Sequence, residues 1–341
     1  MLNTGELNNF DSPVPALKHS QFDHFMSTDQ QPSARGASAV AAGASQLVMT
    51  QQPSLLMNAR CWGTRGSMPS PGMATAGYGG NTSCLEVVAH GHRFIFDAGS
   101  GIRPLGEHLL ATEAEPIRAE LFLTHFHWDH IQGLPFFGPL YHATTRLRVH
   151  GAKQGDIDIQ TLIAGQMGPI YFPVPFETIA AHMEFEHLTG KVWVEPGVEI
   201  DAIRVRHPAN TYGYKITNEH GAIAFIPDNE LVGGTYPLEP KKTYEDLVRF
   251  LGGVDVLFHD AMFSDTEYPQ RVGWGHSTFS QAVRLAEDAG VRRLYLFHHA
   301  PERTDTELSR ILEELRDDIA RRGSHLEIGV AAEGEDISVA R

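Results

Sequence analysis

Short apolar runs that end in a histidine or an aspartate recur along this chain. Phe94-Ile95-Phe96 precedes Asp97, and Leu121-Phe122-Leu123 precedes Thr124-His125. Ile203-Arg204-Val205-Arg206 leads to His207, and Ile223-Ala224-Phe225-Ile226-Pro227 to Asp228. Val254 to Phe258 leads to His259-Asp260, and Leu294-Tyr295-Leu296-Phe297 to His298. Runs of this length predict strands, each delivering one polar side chain to a sheet edge. Two segments carry a helical period instead: Phe279, Ala282, Val283 and Ala286, then Leu308, Ile311, Leu312 and Leu315 after Asp305. Ser277 or Thr278 stands where the first of these helices needs an N-cap.

Composition changes this picture mainly at the start. With 341 residues, 42% of them hydrophobic, the chain is long enough for one large domain with a real core. Residues 1–57 differ: Gln, Ser, Ala and Gly crowd Ser27 to Ser54, with Pro13, Pro15, Pro32 and Pro53. They read as a flexible low-complexity extension, with Ala34 to Met49 as an alternative partner-docking helix and residues 58–341 as the folded domain. No run of eighteen apolar residues and no signal-peptide pattern appears, so the expected location is cytoplasmic, with no membrane partner. Cys61 and Cys84 read as separate buried thiols.

The densest chemistry is Thr124-His125-Phe126-His127-Trp128-Asp129-His130, four metal-ligating side chains within six residues directly after a strand. His125 and His127 can face one point, and Asp129 and His130 a second beside it, as a two-metal centre requires. Imidazole and carboxylate donors with no nearby cysteine suit zinc first, with manganese or iron as alternatives. A second stretch, Trp274-Gly275-His276-Ser277-Thr278, places His276 just before a helix start, where ordinary capping is the competing explanation.

These ordered motifs resemble the metallo-beta-lactamase superfamily of hydrolases, and within it the ribonuclease Z-like and cyclic-phosphodiesterase branch, from about Asn58 to the C-terminus. The resemblance implies an α/β fold, an αββα four-layer sandwich, with two divalent metal ions at one edge. It assigns His125, His127 and His207 to one ion and Asp129, His130 and His298 to the other, with Asp228 bridging. A hydroxide shared by the ions would attack phosphorus, with Asp129 also holding that nucleophile. Pro227-Asp228-Asn229 departs from the family's usual small residue, Asp and Thr, but keeps the carboxylate. His276 matches the branch's His-Ser-Thr motif and would contact phosphate or protonate the leaving alkoxide. Asp260, in His259-Asp260-Ala261, replaces a Glu that orients that histidine, and its shorter reach could weaken the coupling.

Other residues have supporting roles in this reading. Asp97 is expected to hydrogen-bond a ligand histidine. Asn81 either binds substrate or caps a turn, and His299 and Arg65 are candidates for substrate contact. Gly165 to Phe176, with Met167, Tyr171, Phe172 and Phe176, suits an ordered lid or a subunit contact, hence a homodimer. The formal charge of −15, from 27 basic and 42 acidic side chains, repels nucleic acid at long range. The expected partner is therefore a small anionic phosphodiester and no large nucleic acid. The leading function is a metal-dependent phosphodiesterase acting on a small cyclic nucleotide or related cyclic phosphodiester. Lactone or carboxylic-ester hydrolysis is the alternative, and a non-catalytic metal-binding protein is a more distant one because all seven ligand positions are filled.

Overall fold

The computed structural model describes residues 57–114, 116–188, 191–195 and 197–339; the expected extension over 1–57, with Ala34 to Met49, lies outside them except for Met57, which is buried and opens the first strand. The strands in chain order are β1 Met57–Gly63, β2 Cys84–Ala89, β3 His92–Phe96, β4 Arg118–Phe122, β5 Arg146–Gly151, β6 His182–His187 and β7 Lys191–Glu195. They continue as β8 Val198–Arg204, β9 Tyr212–Asn218, β10 Gly221–Ile226, β11 Val256–Asp260, β12 Arg293–Phe297, β13 Glu327–Val330 and β14 Asp336–Val339. The helices used below are α1 Ile102–Thr112, α2 Trp128–Ile131, α3 Ile159–Gln166, α4 Pro240–Leu251, α5 Phe279–Asp288 and α6 Asp305–Arg321.

Two seven-stranded sheets form, ordered β14-β1-β2-β3-β4-β5-β6 and β13-β12-β11-β10-β9-β8-β7. Each is mixed: β3 to β6 run parallel, as do β10 to β13, and the remaining neighbours are antiparallel. Phe94, Phe96, Phe122, Tyr214, Phe225, Phe258 and Phe297 fill the space between the sheets. Outside the first sheet, Ile95, Leu121 and Leu123 pack with Leu105 and Leu109 of α1 and with Ile159 and Ile163 of α3. Outside the second, Ala224, Leu257 and Leu294 pack with Leu247 of α4, Ala282, Val283 and Ala286 of α5, and Leu308, Ile311 and Leu312 of α6. The result is the four-layer αββα sandwich. Central strands covered on both faces read as continuous apolar runs rather than as alternation, and each fully buried Phe or Leu contributes about 1.5–3 kcal/mol.

Details of the local sequence decide how the elements begin. Thr278, not Ser277, caps α5, in a reciprocal capping box with Gln281, and Thr304 with Glu307 does the same for α6. Such caps are worth about 1 kcal/mol each. Ser277 instead donates to the Asn229 carbonyl at 2.6 Å, tying the start of α5 to the end of β10. Cys61 and Cys84 are free and buried, one in the core between the sheets and the other in the core outside the first sheet. Burial pushes both thiols up, so they are inert core residues. Among the described residues, no helix is long and apolar enough to cross a membrane.

Candidate metal centre

Five strands end at one rim, and each releases a polar side chain there. Asp97 follows β3, His125 lies just beyond β4, Asp228 follows β10, Asp260 closes β11 and His298 follows β12. His207 arrives from β8 through Val205-Arg206. The carboxyl ends of parallel strands are where an open α/β sheet presents its chemistry. Asp97 and His298 take left-handed backbone conformations, φ 63° and 60°, that turn the chain at the strand end.

The ligand loop is braced from below. Asp97, fully buried, accepts from the Thr124 amide at 2.8 Å, the Thr124 hydroxyl at 2.9 Å, the Ser83 hydroxyl at 2.9 Å and His130 Nδ1 at 2.7 Å. With Nδ1 committed, His130 presents Nε2 to the cleft. Asp129 Oδ2 accepts from the Ser67 amide at 2.7 Å. His207 Nδ1 donates to the Gly275 carbonyl at 2.8 Å, so its Nε2 also faces the cleft. The Tyr214 hydroxyl donates to the Leu123 carbonyl at 2.6 Å, holding the strand from which the loop departs.

The donors form two groups joined by one carboxylate. His125, His127 and His207 bring nitrogens together, as do Asp129, His130 and His298 with their own donor atoms; within each group the atoms lie within 4.8 Å of one another. Asp228 Oδ2 lies 3.3 Å from His125 Nε2 and 2.8 Å from His130 Nε2, while Oδ1 lies 2.9 Å from His298 Nε2. Asp228 therefore reaches both groups. The side chains are buried except His127, which is exposed at the mouth.

Electrostatics within the protein distinguish the two groups. Burial keeps His125 and His127 below the ordinary imidazole range and lowers His207 to about 3, so all three are neutral donors. Burial also opposes a charge on His298, but Asp228 and Asp129 outweigh it and raise that ring to about 10. His130 is raised well above its usual value against the same burial, by Asp129, Asp228 and Asp97. Both carboxylates are held well below theirs by the neighbouring histidines, despite burial.

This donor set fits divalent cations. His207 Nε2 and His127 Nδ1 are 3.1 Å apart on two neutral rings, and the short contacts of Asp228 with the His125, His130 and His298 rings lack hydrogen-bond geometry, leaving His125 Nε2, His130 Nε2 and Asp228 Oδ1 buried without an aligned partner. Buried polar atoms normally find partners, so a convergent set of orphans points to an ion between them. In the second group, a cation would replace the protons that His130 and His298 otherwise hold between two carboxylates.

His276 lies against this centre. Its Nδ1 donates to Asp260 Oδ2 at 2.8 Å, and its ring lies 4.8 Å from that of His298 and 5.2 Å from that of His207. The shorter Asp260 still makes the contact because the amides of Asn229, at 3.0 Å, and Met262, at 3.2 Å, fix its two oxygens.

A family model, the beta-lactamase superfamily domain, matches residues 92–299, more than half of the chain. The chain belongs to the beta-lactamase superfamily. It is a hydrolase of the metallo-beta-lactamase fold. Among its relatives in that family, ribonuclease Z of Exiguobacterium sibiricum is 26% identical over 270 residues, covering 67% of this chain and 85% of the relative. Human tRNase Z, short form, superposes with a TM-score of 0.57 at 18% identity, over 83% of this chain and 100% of that one. Unliganded yeast PDE1 superposes with a TM-score of 0.61 at 14% identity, over 84% and 100%. At these identities the two solved structures speak for the fold alone.

Three sequence expectations need correction. Excluding a large nucleic acid on the ground of a net charge of −15 does not hold for a chain with ribonuclease Z relatives. Net charge acts through solvent and is screened beyond about 8 Å at physiological salt, whereas a phosphodiester is handled at one local site. His299 does not face the cleft: it is buried, its Nε2 donates to the Ala331 carbonyl at 2.9 Å, and burial lowers it to about 3. Arg65 is likewise buried, donating to the carbonyls of Gly79 at 2.7 Å and Arg303 at 2.6 Å.

The two readings of Asn81 separate here as well. Its side chain donates to Glu333 at 2.9 Å and accepts from the Ser100 hydroxyl at 3.0 Å, a structural engagement rather than a free substrate contact. In the segment read as a lid or subunit contact, Met167 is buried while Ile170 and Tyr171 are exposed.

Gly66 packs directly against a ligand ring. A Cβ there would overlap the His298 ring. We expect Gly66→Ala to displace that ring and lower metal affinity about 10–100-fold, the usual effect of disturbing a ligand's support. Competition with a chromogenic chelator measures it; unchanged affinity would mean the loop yields instead of the histidine.

Proposed function

We propose that this protein is a metal-dependent phosphodiesterase that hydrolyses a small cyclic nucleotide or a related cyclic phosphodiester. The observation that carries the reading is the Asp260–His276 pair set beside Asp228, whose Oδ1 lies 3.5 Å from His276 Nδ1. Cleaving an alkyl phosphodiester expels a poor alkoxide in the bond-breaking transition state itself, where it needs a proton; an ester or lactone loses its alkoxide only after carbonyl attack, the step that polarisation serves, so its demand on a general acid is weaker.

His125, His127 and His207 would hold one ion, Asp129, His130 and His298 the other, with Asp228 between them. Zinc suits this nitrogen and oxygen set best, with manganese and iron as alternatives. Two divalent ions so held would supply a nucleophile at neutral pH and neutralise charge on the phosphoryl oxygens. The chain's own residues do the rest. Asp260 holds Nδ1 of His276, leaving Nε2 as the atom that passes a proton to the departing oxygen. Asp129, pinned by the Ser67 amide, is oriented before substrate arrives.

A second reading, favoured by the likeness to ribonuclease Z, places the scissile phosphodiester in an RNA. One panel separates the readings: metal-quantified protein with 3′,5′- and 2′,3′-cyclic nucleotides, linear dinucleotides, a precursor tRNA and lactones. Turnover of cyclic nucleotides is the expected result. Cleavage confined to the RNA would move the assignment to the second reading, and turnover of lactones alone would remove phosphodiester chemistry altogether.

A further inference from the structure

Glu230 is a fully buried carboxylate that none of the chemistry above uses. Its Oε1 accepts from the Tyr268 hydroxyl at 2.7 Å and the Gly273 amide at 2.9 Å. Its Oε2 accepts from the Tyr236 hydroxyl at 2.5 Å and the Gly275 amide at 2.9 Å. Burial alone would push this carboxyl up, but the Gly273 amide, the two tyrosines and the Gly275 amide hold it below its ordinary range. Four donors match the acceptor capacity of an ionised carboxylate.

What those donors belong to is informative. Gly273 and Gly275 have φ of 88° and 91°, a left-handed conformation that favours glycine, and their amides converge on one anion as in a backbone nest. Gly275 lies so close to His207 that a Cβ would overlap the imidazole, and its carbonyl holds His207 Nδ1. The next residue is His276. At the other end, Arg206, the neighbour of His207, donates to the Glu230 carbonyl at 2.8 Å and accepts from the Glu230 amide at 2.7 Å. Asn229, between Glu230 and Asp228, donates its amide to Asp260.

We propose that Glu230 is a positioning residue that sets His207 and His276 together, by clamping the turn whose carbonyl holds one ring and whose next residue is the other. The His207 half rests on geometry; the His276 half rests on the phosphodiesterase reading. Neither histidine touches Glu230. Its effect is transmitted through the Gly273–Gly275 turn, and one carboxylate thereby couples metal affinity to protonation of the leaving group.

The test is Glu230→Gln, nearly isosteric, whose amide nitrogen faces an N–H where the turn needs an acceptor. Two readouts follow in the full chain. Cobalt(II) titration of metal-free protein, followed by its visible absorption, should show at least one site weakened about tenfold or more. The ratio of turnover on an alkyl diester to that on a bis-nitrophenyl diester should fall about tenfold, and this selective loss should vanish in a His276→Ala background. A lower melting temperature with cobalt affinity and ratio both unchanged would overturn the proposal.

If Glu230→Gln does not fold, Tyr268→Phe removes one of the four donors and should move both readouts in the same direction; no movement in either would again overturn it. If the parent protein cleaves no phosphodiester, the proposed function fails separately. Cobalt titration then decides alone, weaker binding supporting the role of Glu230 and unchanged binding refuting it.

Discussion

Asp228→Ala protein will lose most of its phosphodiester turnover, by about 10³-fold or more, and will purify with fewer than the about two ions per chain expected of the parent. A thousandfold loss is about 4 kcal/mol of transition-state stabilisation, the scale on which a metal acts on a phosphoryl group. Asp228 touches His125 on one side and His130 and His298 on the other, and among the described residues no other carboxylate joins both donor groups. Alanine leaves each group three donors and removes the charge between them. Two cations brought close together repel, and without an anion shared between them the second binds poorly. Elemental analysis and turnover on the same preparation check this; two ions retained with undiminished turnover would take Asp228 out of the centre.

His276→Ala should separate metal binding from chemistry. Turnover of diesters that expel an alkoxide is expected to fall about 10²–10⁴-fold, the usual contribution of a general acid. The loss on a nitrophenyl diester should be below about tenfold, because that leaving group departs without a proton. Metal content should stay at the parent level. His276 lies within reach of Asp228 and His207 as a donor group, but its Nδ1 is committed to Asp260 at 2.8 Å. Equal losses on both substrates would mean that His276 supports the centre rather than the leaving group, and loss of metal would make it a ligand. Asp260→Asn should give a smaller version of the same selective effect, since the ring remains while its orientation loosens.

Much of the candidate site was legible because its residues stand at strand ends. A run such as Leu294-Tyr295-Leu296-Phe297 has one reading as a buried strand, and the polar residue that follows it must emerge at a rim. The crowding of His125, His127, Asp129 and His130 is unexplained by packing, so it stood out without any partner in view. The expectation for Asp97 rests on the need of a ligand imidazole for a carboxylate that orients it, and His130 makes that contact at 2.7 Å. By contrast, His299 stands beside a strand-end ligand yet points the other way. His298 sits in a left-handed turn just past the strand, where strand alternation no longer assigns sides, and only the folded chain shows which of the two rings meets the cleft.

Glu230 and Ser67 left no mark that a single sequence could carry. Glu230 in Asn229-Glu230-Leu231 looks like an ordinary solvated acid, and its partners lie 6 to 45 residues away. Ser67 acts through its backbone amide, which every residue but proline possesses. The nearest signal was the pair of glycines around Trp274, which announces a turn but not the anion it wraps. Charge misled for a related reason: −15 is a sum over the chain, while the groups that meet a phosphodiester are a few buried histidines and whatever ions they hold.

The sequence by itself determined the six strands that carry the rim residues, two of the capped helices, the αββα class through its family motifs, and the chemical character of the rim. Local pattern settles these, because side-chain period and the cost of burying polar groups act within a few residues. Only the tertiary structure decided which donors meet, that Asp228 joins two groups, and that Glu230 ties the turn before His276 to the loop carrying His207. Those relations span up to 169 residues of chain, as between His298 and Asp129, and arise when two sheets pack face to face and bring their strand ends to a common edge.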